Sequence, residues 1–342
     1  MIIQNIDIKH VAFDMVNNLD TFSIKHNKRD SWLIKITEKY GTIGYGESSP
    51  LVGFNNETFD QAGYALEGFK LAVNSLNEDL DLEEILILAN VHSLDAPSAT
   101  FAINSAIYDI ESQQKNLSLN MYLNPKALLS IKVNGIYGLS KNYGYKTIKV
   151  KCGFRNLYDE IELLEKLTEK YKNKVNFRLD LNQAYDLPKA IRFFKEVEKF
   201  NIDYIEQPLN KDNLEDYVEL GFHSDIPIAL DESITTIDSL KLQMDNNIGE
   251  IFIIKPQSLG SFKTISEAIN IIKNENKTAI LSSSLEGIIG RYCTMHLVSA
   301  HRIDKPCGLA LEPIYTIEKD LNLIKKGELV IPNKPGIGVA PF

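Results

Sequence analysis

Five short apolar runs between residues 147 and 255 each stop on a charge: TIKVK at 147–151, NFRLD at 176–180, DYIE at 203–206, PIALD at 227–231 and IFIIK at 251–255. A charge is costly to bury among apolar side chains. An ion closing each of five runs therefore marks the point where a strand leaves a core for a shared opening. TAILSS, ending at Ser283, and GLAL, ending at Leu311, extend the series. The ends at 151, 180, 206, 231, 255, 283 and 311 lie 29, 26, 25, 24, 28 and 28 residues apart. Each step has room for one strand, one helix and two short loops. IKVNG at 131–135 supplies an earlier strand, making eight.

Between the runs, helical periodicity falls on 155–172, 188–200, 235–246, 261–276 and 287–302, with Pro188 near a first turn. Apolar strands alternating with helices predict a parallel sheet covered on its outer face, and eight units close it into a modified, TIM-like (β/α) barrel. A doubly wound open sheet is the alternative fold. Neither GxGxxG after the first strand nor GxxxxGK[ST] occurs, so neither familiar nucleotide site is supported. Upstream, 31–37 and 42–46 are β-rich runs joined by a turn at Lys39-Tyr40-Gly41, while 57–75 and 98–116 have helical spacing. Residues 1–120 thus read as an α+β capping domain, completed by 315–342, on a catalytic barrel over 121–314. The Gly/Pro/Ser-containing stretch from Gly46 to Phe54 suits a lid.

Composition narrows the function. At 342 residues, with 44% hydrophobic and 24% charged residues, the chain is globular in type and long enough for a barrel of roughly 200–250 residues plus a smaller domain. A net charge of -9 disfavours nucleic acid and anionic membranes as partners, since both need a basic face. A small-molecule carboxylate fits better, and no oligomeric state is fixed. No run approaches the roughly 20 apolar residues of a membrane helix, and the start lacks a signal-peptide layout, so a cytoplasmic address is expected. Cys152, Cys293 and Cys307 show no CxxC spacing and read as reduced thiols; the six histidines form no HxxxH pair.

Catalytic groups of such barrels gather at strand C-terminal ends. Asp180, Glu206 and Asp231, on three successive strands, offer hard oxygen ligands to one space, which suits Mg²⁺ or Mn²⁺. Taken singly, each acid reads equally well as a helix cap or an ion-pair partner. Lys149 and Lys151 share a strand face, and a lysine beside another cation and a metal has a reason for the lowered pKa that a general base needs. A solvated KxK is the alternative reading. Lys255 would face Lys151 across the pocket, leaving a substrate carbon between two ammonium groups. That suits proton abstraction α to a carboxylate, with metal and cation stabilising the enediolate. Arg178 and Asn182 flank Asp180 at two residues and are candidates to orient ligands or substrate, although Arg178 is also placed to pair with a barrel carboxylate. Ser282, Ser283 and Ser284 are candidates to hold a second substrate carboxylate, or simply to cap the next helix.

Together, KVK at 149–151, RLDLN at 178–182, EQP at 206–208, DES at 231–233, KP at 255–256 and SSSLE at 282–286 resemble the enolase superfamily over nearly the whole chain. The match is to its muconate-lactonizing subgroup, and most of all to the o-succinylbenzoate synthases. The resemblance implies metal-dependent syn-dehydration of 2-succinyl-6-hydroxy-2,4-cyclohexadiene-1-carboxylate in menaquinone biosynthesis, a lyase reaction. Lys151 would remove the α-proton and return it to the departing hydroxide, Lys255 would stabilise the enediolate, and Lys149 would support Lys151 electrostatically. Glu232 would support the site, with Leu51 and Phe54 of the lid facing substrate. Relatives that use both lysines as bases epimerise dipeptides or racemise N-acylamino acids, and they form the alternative. Dipeptide epimerases place Asp-x-Asp near the eighth strand, where this chain reads GLALEP at 308–313, with Glu312 the one acid. A non-catalytic binding protein is the remote alternative.

Overall fold

The computed structural model describes residues 1–20, 25–51, 54, 57–76, 79–141, 143–309, 314–316 and 323–341. It opens with an antiparallel sheet in the order β1-β2-β3, formed by β1 (Ile3–Asp20), β2 (Lys25–Glu38) and β3 (Ile43–Ser48). The expected turn joins β2 to β3: Gly41 takes φ +90°, a conformation glycine adopts without strain, and its N–H donates to Glu38 O at 2.8 Å. The sequence announces no element over β1, because Gln4, Asn5, Lys9 and His10 break its apolar alternation. Main-chain pairing to β2 recruits it nonetheless, with Ile6, Phe13 and Met15 turned inward. β3 also runs two residues further than expected, into the start of the lid.

Four helices follow: α1 (Phe59–Leu76), α2 (Leu82–His92), α3 (Pro97–Gln114) and the short α4 (Leu119–Leu123). α2 starts in a capping box between Asp81 and Glu84. α3 lies directly on β3, and glycine makes the approach possible. A Cβ at Gly46 would stand 1.8 Å from Ala102 O, and one at Gly44 2.0 Å from Ala106 O. The obstructing atoms are helix backbone and cannot rotate away. Gly46→Ala is therefore expected to destabilise the fold by about 3 kcal/mol, the upper end for overpacking. Urea unfolding checks this, and an unchanged midpoint would mean that helix and strand do not lie this close.

The barrel continues with β4 (Ser130–Lys132), β5 (Gly135–Ile136), β6 (Thr147–Lys151), α5 (Leu157–Tyr171), β7 (Asn176–Asp180), α6 (Leu187–Val197), β8 (Ile202–Glu206), α7 (Leu214–Leu220), β9 (Ile228–Leu230) and α8 (Ile237–Asp245). After these come β10 (Ile251–Ile254), α9 (Pro256–Leu259), α10 (Phe262–Asn274), β11 (Thr278–Leu281), α11 (Ile288–Ala300), β12 (Ile324–Lys325) and β13 (Glu328–Val330). The parallel sheet runs β5 to β11 in chain order. Among the described residues the strand order never reverses, so the doubly wound alternative falls. The helices cover the sheet with stripes such as Ala190, Phe193, Phe194 and Val197 of α6, whose spacing puts all four on one buried face.

Two expected strands come out differently. The run at 131–135 divides: β4 pairs antiparallel with β13, and only β5 enters the barrel sheet. The eighth position holds single bridges, Ser282 to Gly308 and Val133 to Cys307, which join the two edges of the curled sheet. Residues 310–313, including Leu311 and Glu312, lie outside the described residues. Beyond the barrel, Tyr315 bridges Met15 of β1, and Ile337 N–H donates to Asp109 at 2.8 Å. The three cysteines are free and buried, and among the described residues no helix is long and apolar enough to cross a membrane.

His296 of α11 is a fully buried pin between distant segments. Its Nε2–H donates to Ile337 O at 3.1 Å and its Nδ1 lies 3.2 Å from both the N–H and Oδ1 of Asn120; accepting from that N–H goes with the neutral ring. Burial pushes its pKa down to about 4. Because the folded value lies below the unfolded one of about 6.5, the stabilisation is complete above that pH and is lost as pH falls toward 4. The stability advantage of the native chain over His296→Gln is expected to shrink by about 1 kcal/mol between pH 6 and 5. An advantage independent of pH would contradict a buried neutral imidazole.

Candidate active site

Strand register brings the charged ends together. β6 and β7 pair Lys151 with Asp180, and β7 and β8 pair Asp180 with Glu206, while Asp231 follows the last residue of β9 and Lys255 the last of β10. Lys149 Nζ donates to Glu206 Oε1 at 2.7 Å and to Asp180 Oδ2 at 3.3 Å. Lys151 Nζ donates to Asp180 Oδ2 at 2.7 Å and Asn182 Oδ1 at 2.6 Å. Lys255 Nζ donates to Asp231 Oδ2 at 2.5 Å. All three acids are at most 4% exposed. β6 and β10 are four strands apart in an eight-position ring, so Lys151 and Lys255 stand on opposite sides of the opening.

Burial alone would raise all three acids. At Asp180 the charges of Lys151 and Lys149 outweigh it and hold the carboxyl well below its usual range. At Glu206 burial, reinforced by the charge of Asp180, prevails and pushes the group up to about 7 despite Lys149. Asp231 is likewise raised by burial, against Lys255. Lys149 behaves oppositely: burial disfavours its charge, but Glu206 and Asp180 hold it well above its ordinary value, so it is a fixed cation.

The main chain beside these acids is strained. Asn182 (φ 40°), Gln183 (φ 66°) and Gln207 (φ 41°) all take left-handed conformations unusual for residues with a side chain. Asn182 Nδ2 donates to Glu232 Oε1 at 2.9 Å. Gln207 Oε1 accepts from the backbone N–H of Asp231 at 2.9 Å and of Ser233 at 3.2 Å, fixing the turn that presents Asp231. Sequence reasoning gives Gln207 no role; its only signal is its place directly after Glu206.

Other expectations are redirected. Arg178 shares a face with Asp180, yet its guanidinium reaches Asp203 at 2.8 Å, Asn134 Oδ1 at 3.1 Å and Pro306 O at 2.6 Å and lies over the Tyr204 ring. It fastens the barrel wall and does not touch the acids. The serines do not offer free N–H groups to an anion: Ser283 N–H donates to Gly308 O at 2.9 Å and Ser284 N–H to the Glu286 carboxylate. At the start of α11, Gly287 and Gly290 N–H already donate to the cap's Glu47. Ser282 Oγ donates to Gly308 O at 3.2 Å, and the buried Ser284 hydroxyl has no partner among the described residues. Phe54 does reach the site, its ring centroid 3.6 Å from Lys255 Nζ. Half-buried Leu51 accepts from Phe54 N–H at 3.1 Å. Val52, Gly53, Asn55 and Asn56 lie outside the described residues.

The cap is fastened to the barrel beside these groups. Arg29 donates to Ser49 O, Pro50 O and Ser284 O at 2.5, 2.6 and 3.2 Å, and Gln257, two residues after Lys255, donates to Glu47 O at 2.9 Å. Sequence separation hides the contacts of Arg29 with Ser284 and of Gln257 with Glu47, each of which spans more than 200 residues.

A divalent cation suits this set of acids. Glu206 Oε2 and Asp231 Oδ1 are buried without a hydrogen-bond partner among the described residues, an arrangement that is costly for a carboxylate unless a cation satisfies it. Among the described residues no three acidic, imidazole or thiol groups already form a closed cage; the acids turn toward lysine ammonium groups instead. All the oxygens on offer are hard donors, as magnesium requires.

A family described as enolase C-terminal domain-like matches residues 138–341. The chain is 24% identical to the L-Ala-D/L-Glu epimerase of Clostridium acetobutylicum over 99% of both chains. It is 27% identical to the o-succinylbenzoate synthase of Vibrio cholerae over 78% of this chain and 76% of that one. Its fold superposes on the dipeptide epimerase of Enterococcus faecalis, complexed with Mg and the dipeptide L-Leu-L-Tyr, with a TM-score of 0.88 at 21% identity over 100% of both chains.

Proposed function

The chain belongs to the enolase C-terminal domain-like family, and from that premise we propose that it inverts the α-carbon of an amino acid whose nitrogen is acylated, as an epimerase of dipeptides or a racemase of N-acylamino acids. The observation that carries this reading is the placement of Lys151 and Lys255, on opposite sides of the ring, each held by a different acid. Inversion needs a base on one face of the α-carbon and an acid on the other. Dehydration needs only one base. The near full-length match to an epimerase supports the same choice, so the dehydrating synthase, first in the sequence reading, becomes the second reading. What favours that second reading is the lack of Asp-x-Asp in GLALEP at 308–313.

Asp180, Glu206 and Asp231 would hold Mg²⁺, which supplies positive charge to the substrate carboxylate and so makes the α-proton more acidic. Lys151, as the free amine, takes the α-proton from one face, and Lys255, as the ammonium, delivers a proton to the other. The roles exchange for the opposite enantiomer. Lys149 remains a cation throughout, bridging Glu206 and Asp180 beside Lys151. Phe54 covers Lys255 and keeps water from it.

Proton NMR in D₂O with Mg²⁺ tests the reading on a panel of dipeptides and N-succinylamino acids. The α-proton signal of at least one substrate is expected to disappear as the epimer or enantiomer accumulates. No exchange on the panel, together with loss of the diene absorbance of the cyclohexadiene carboxylate, would replace this reading with the synthase.

A further inference from the structure

The two lysines are supported unequally. Lys255 rests on Asp231 and the face of Phe54. Lys151 rests on Asp180 and also on Asn182 Oδ1, and Asn182 is held in turn through its Nδ2, which donates to Glu232 Oε1 at 2.9 Å. An amide whose oxygen accepts from an ammonium and whose NH₂ donates to a carboxylate has only one orientation that satisfies both. Glu232 therefore sets which way Asn182 points, across Glu206 from the loop after β9 to the loop after β7. The backbone of Asn182 is strained at φ 40°, a conformation that persists when surrounding contacts over-determine it. Glu232 keeps its other oxygen, Oε2, buried without a partner among the described residues. A carboxylate in that state is unfavourable for folding alone, so its place calls for another role.

We propose that Glu232 is a positioning residue which, through Asn182, fixes the ammonium of Lys151 and not that of Lys255. This rests on the two-base reading above. A lysine side chain freed from one of two struts samples further rotamers, and a displacement of about 1 Å at a reacting group lowers rate by about 10²-fold.

The test compares α-proton exchange of the two enantiomers of a substrate in D₂O, the enantiomer served by Lys151 being the one whose exchange Lys151→Ala abolishes. Glu232→Leu is expected to slow exchange of that enantiomer by about 10- to 100-fold, with the other changed less than about 2-fold. Glu232→Gln, which keeps an oxygen for the Asn182 amide, recovers most of the loss. In an Asn182→Leu background, Glu232→Leu adds nothing, as expected for residues acting in series. Equal slowing of both enantiomers, or additive losses in the double variant, would overturn the proposal and mark Glu232 as a support of the metal site or the fold. A crystal structure of Glu232→Leu separates this failure from failure of the two-base reading. The strut predicts Lys151 Nζ moved off Asn182 with Lys255 still on Asp231, and an unmoved Lys151 overturns it even if no substrate exchanges.

Discussion

Turnover is expected to fall by about 10²–10⁴-fold in Lys151→Ala and by a similar factor in Lys255→Ala, the range for loss of a general acid or base. Both substitutions remove a cation from a cluster in which Asp180 and Asp231 are almost fully buried. Some stability is therefore lost as well, because an acid deprived of its partner keeps its desolvation cost. The two effects separate in the kinetics: a loss of folded protein lowers the active fraction, whereas loss of the base lowers kcat in whatever remains folded. Steady-state rates normalised to the folded fraction are the measurement. A variant of either lysine that turns over within about tenfold of the native chain would remove that lysine from the chemistry.

Metal removal is expected to act as strongly. Chelation should lower activity by about 10³-fold, and Mg²⁺ should restore it, because positive charge at the carboxylate contributes several kcal/mol to the transition state. The same ion should reveal itself without substrate. A cation bound to Asp180, Glu206 and Asp231 binds the folded chain alone, so at about 100 times its dissociation constant it adds about 2.7 kcal/mol to stability. Thermal unfolding with and without Mg²⁺ measures this. Asp231→Asn should erase most of the magnesium-dependent shift, since it removes the charge that draws the ion to Oδ1. A magnesium response of the same size in Asp231→Asn would place the cation elsewhere.

The barrel was legible because its strands are short, apolar and closed by charges at a nearly constant step. That periodicity survives without knowledge of packing, and so did the convergence of Lys149, Lys151, Asp180, Glu206, Asp231 and Lys255. What was not legible depended on depth or on distance along the chain. The period of two correctly puts Arg178 on the face of Asp180. Two residues at about 3.3 Å each, however, set it lower in the barrel, beside Asn134 and Pro306 instead of among the acids. At the closing position, expected as a strand from GLAL at 308–311, the described residues carry single bridges at Cys307 and Gly308, and the pattern does not show that one of them falls before the run. The serines at 282–284 looked like an anion site because the sequence cannot show that their neighbouring N–H groups are already occupied, some of them by Glu47 from the opposite end of the chain. Gln207 and Arg29 escaped for the same reason: each matters through main-chain groups of residues far from it.

The two-base proposal puts Lys151 and Lys255 on opposite faces of one α-carbon. It is tested most directly by following α-proton exchange of each enantiomer of one substrate, separately, in D₂O with Lys151→Ala and with Lys255→Ala. The expected result is a crossed pattern, in which each variant loses exchange with one enantiomer and keeps it with the other. Loss of both enantiomers in Lys151→Ala, with both retained in Lys255→Ala, would contradict the claim and leave Lys151 as a single base.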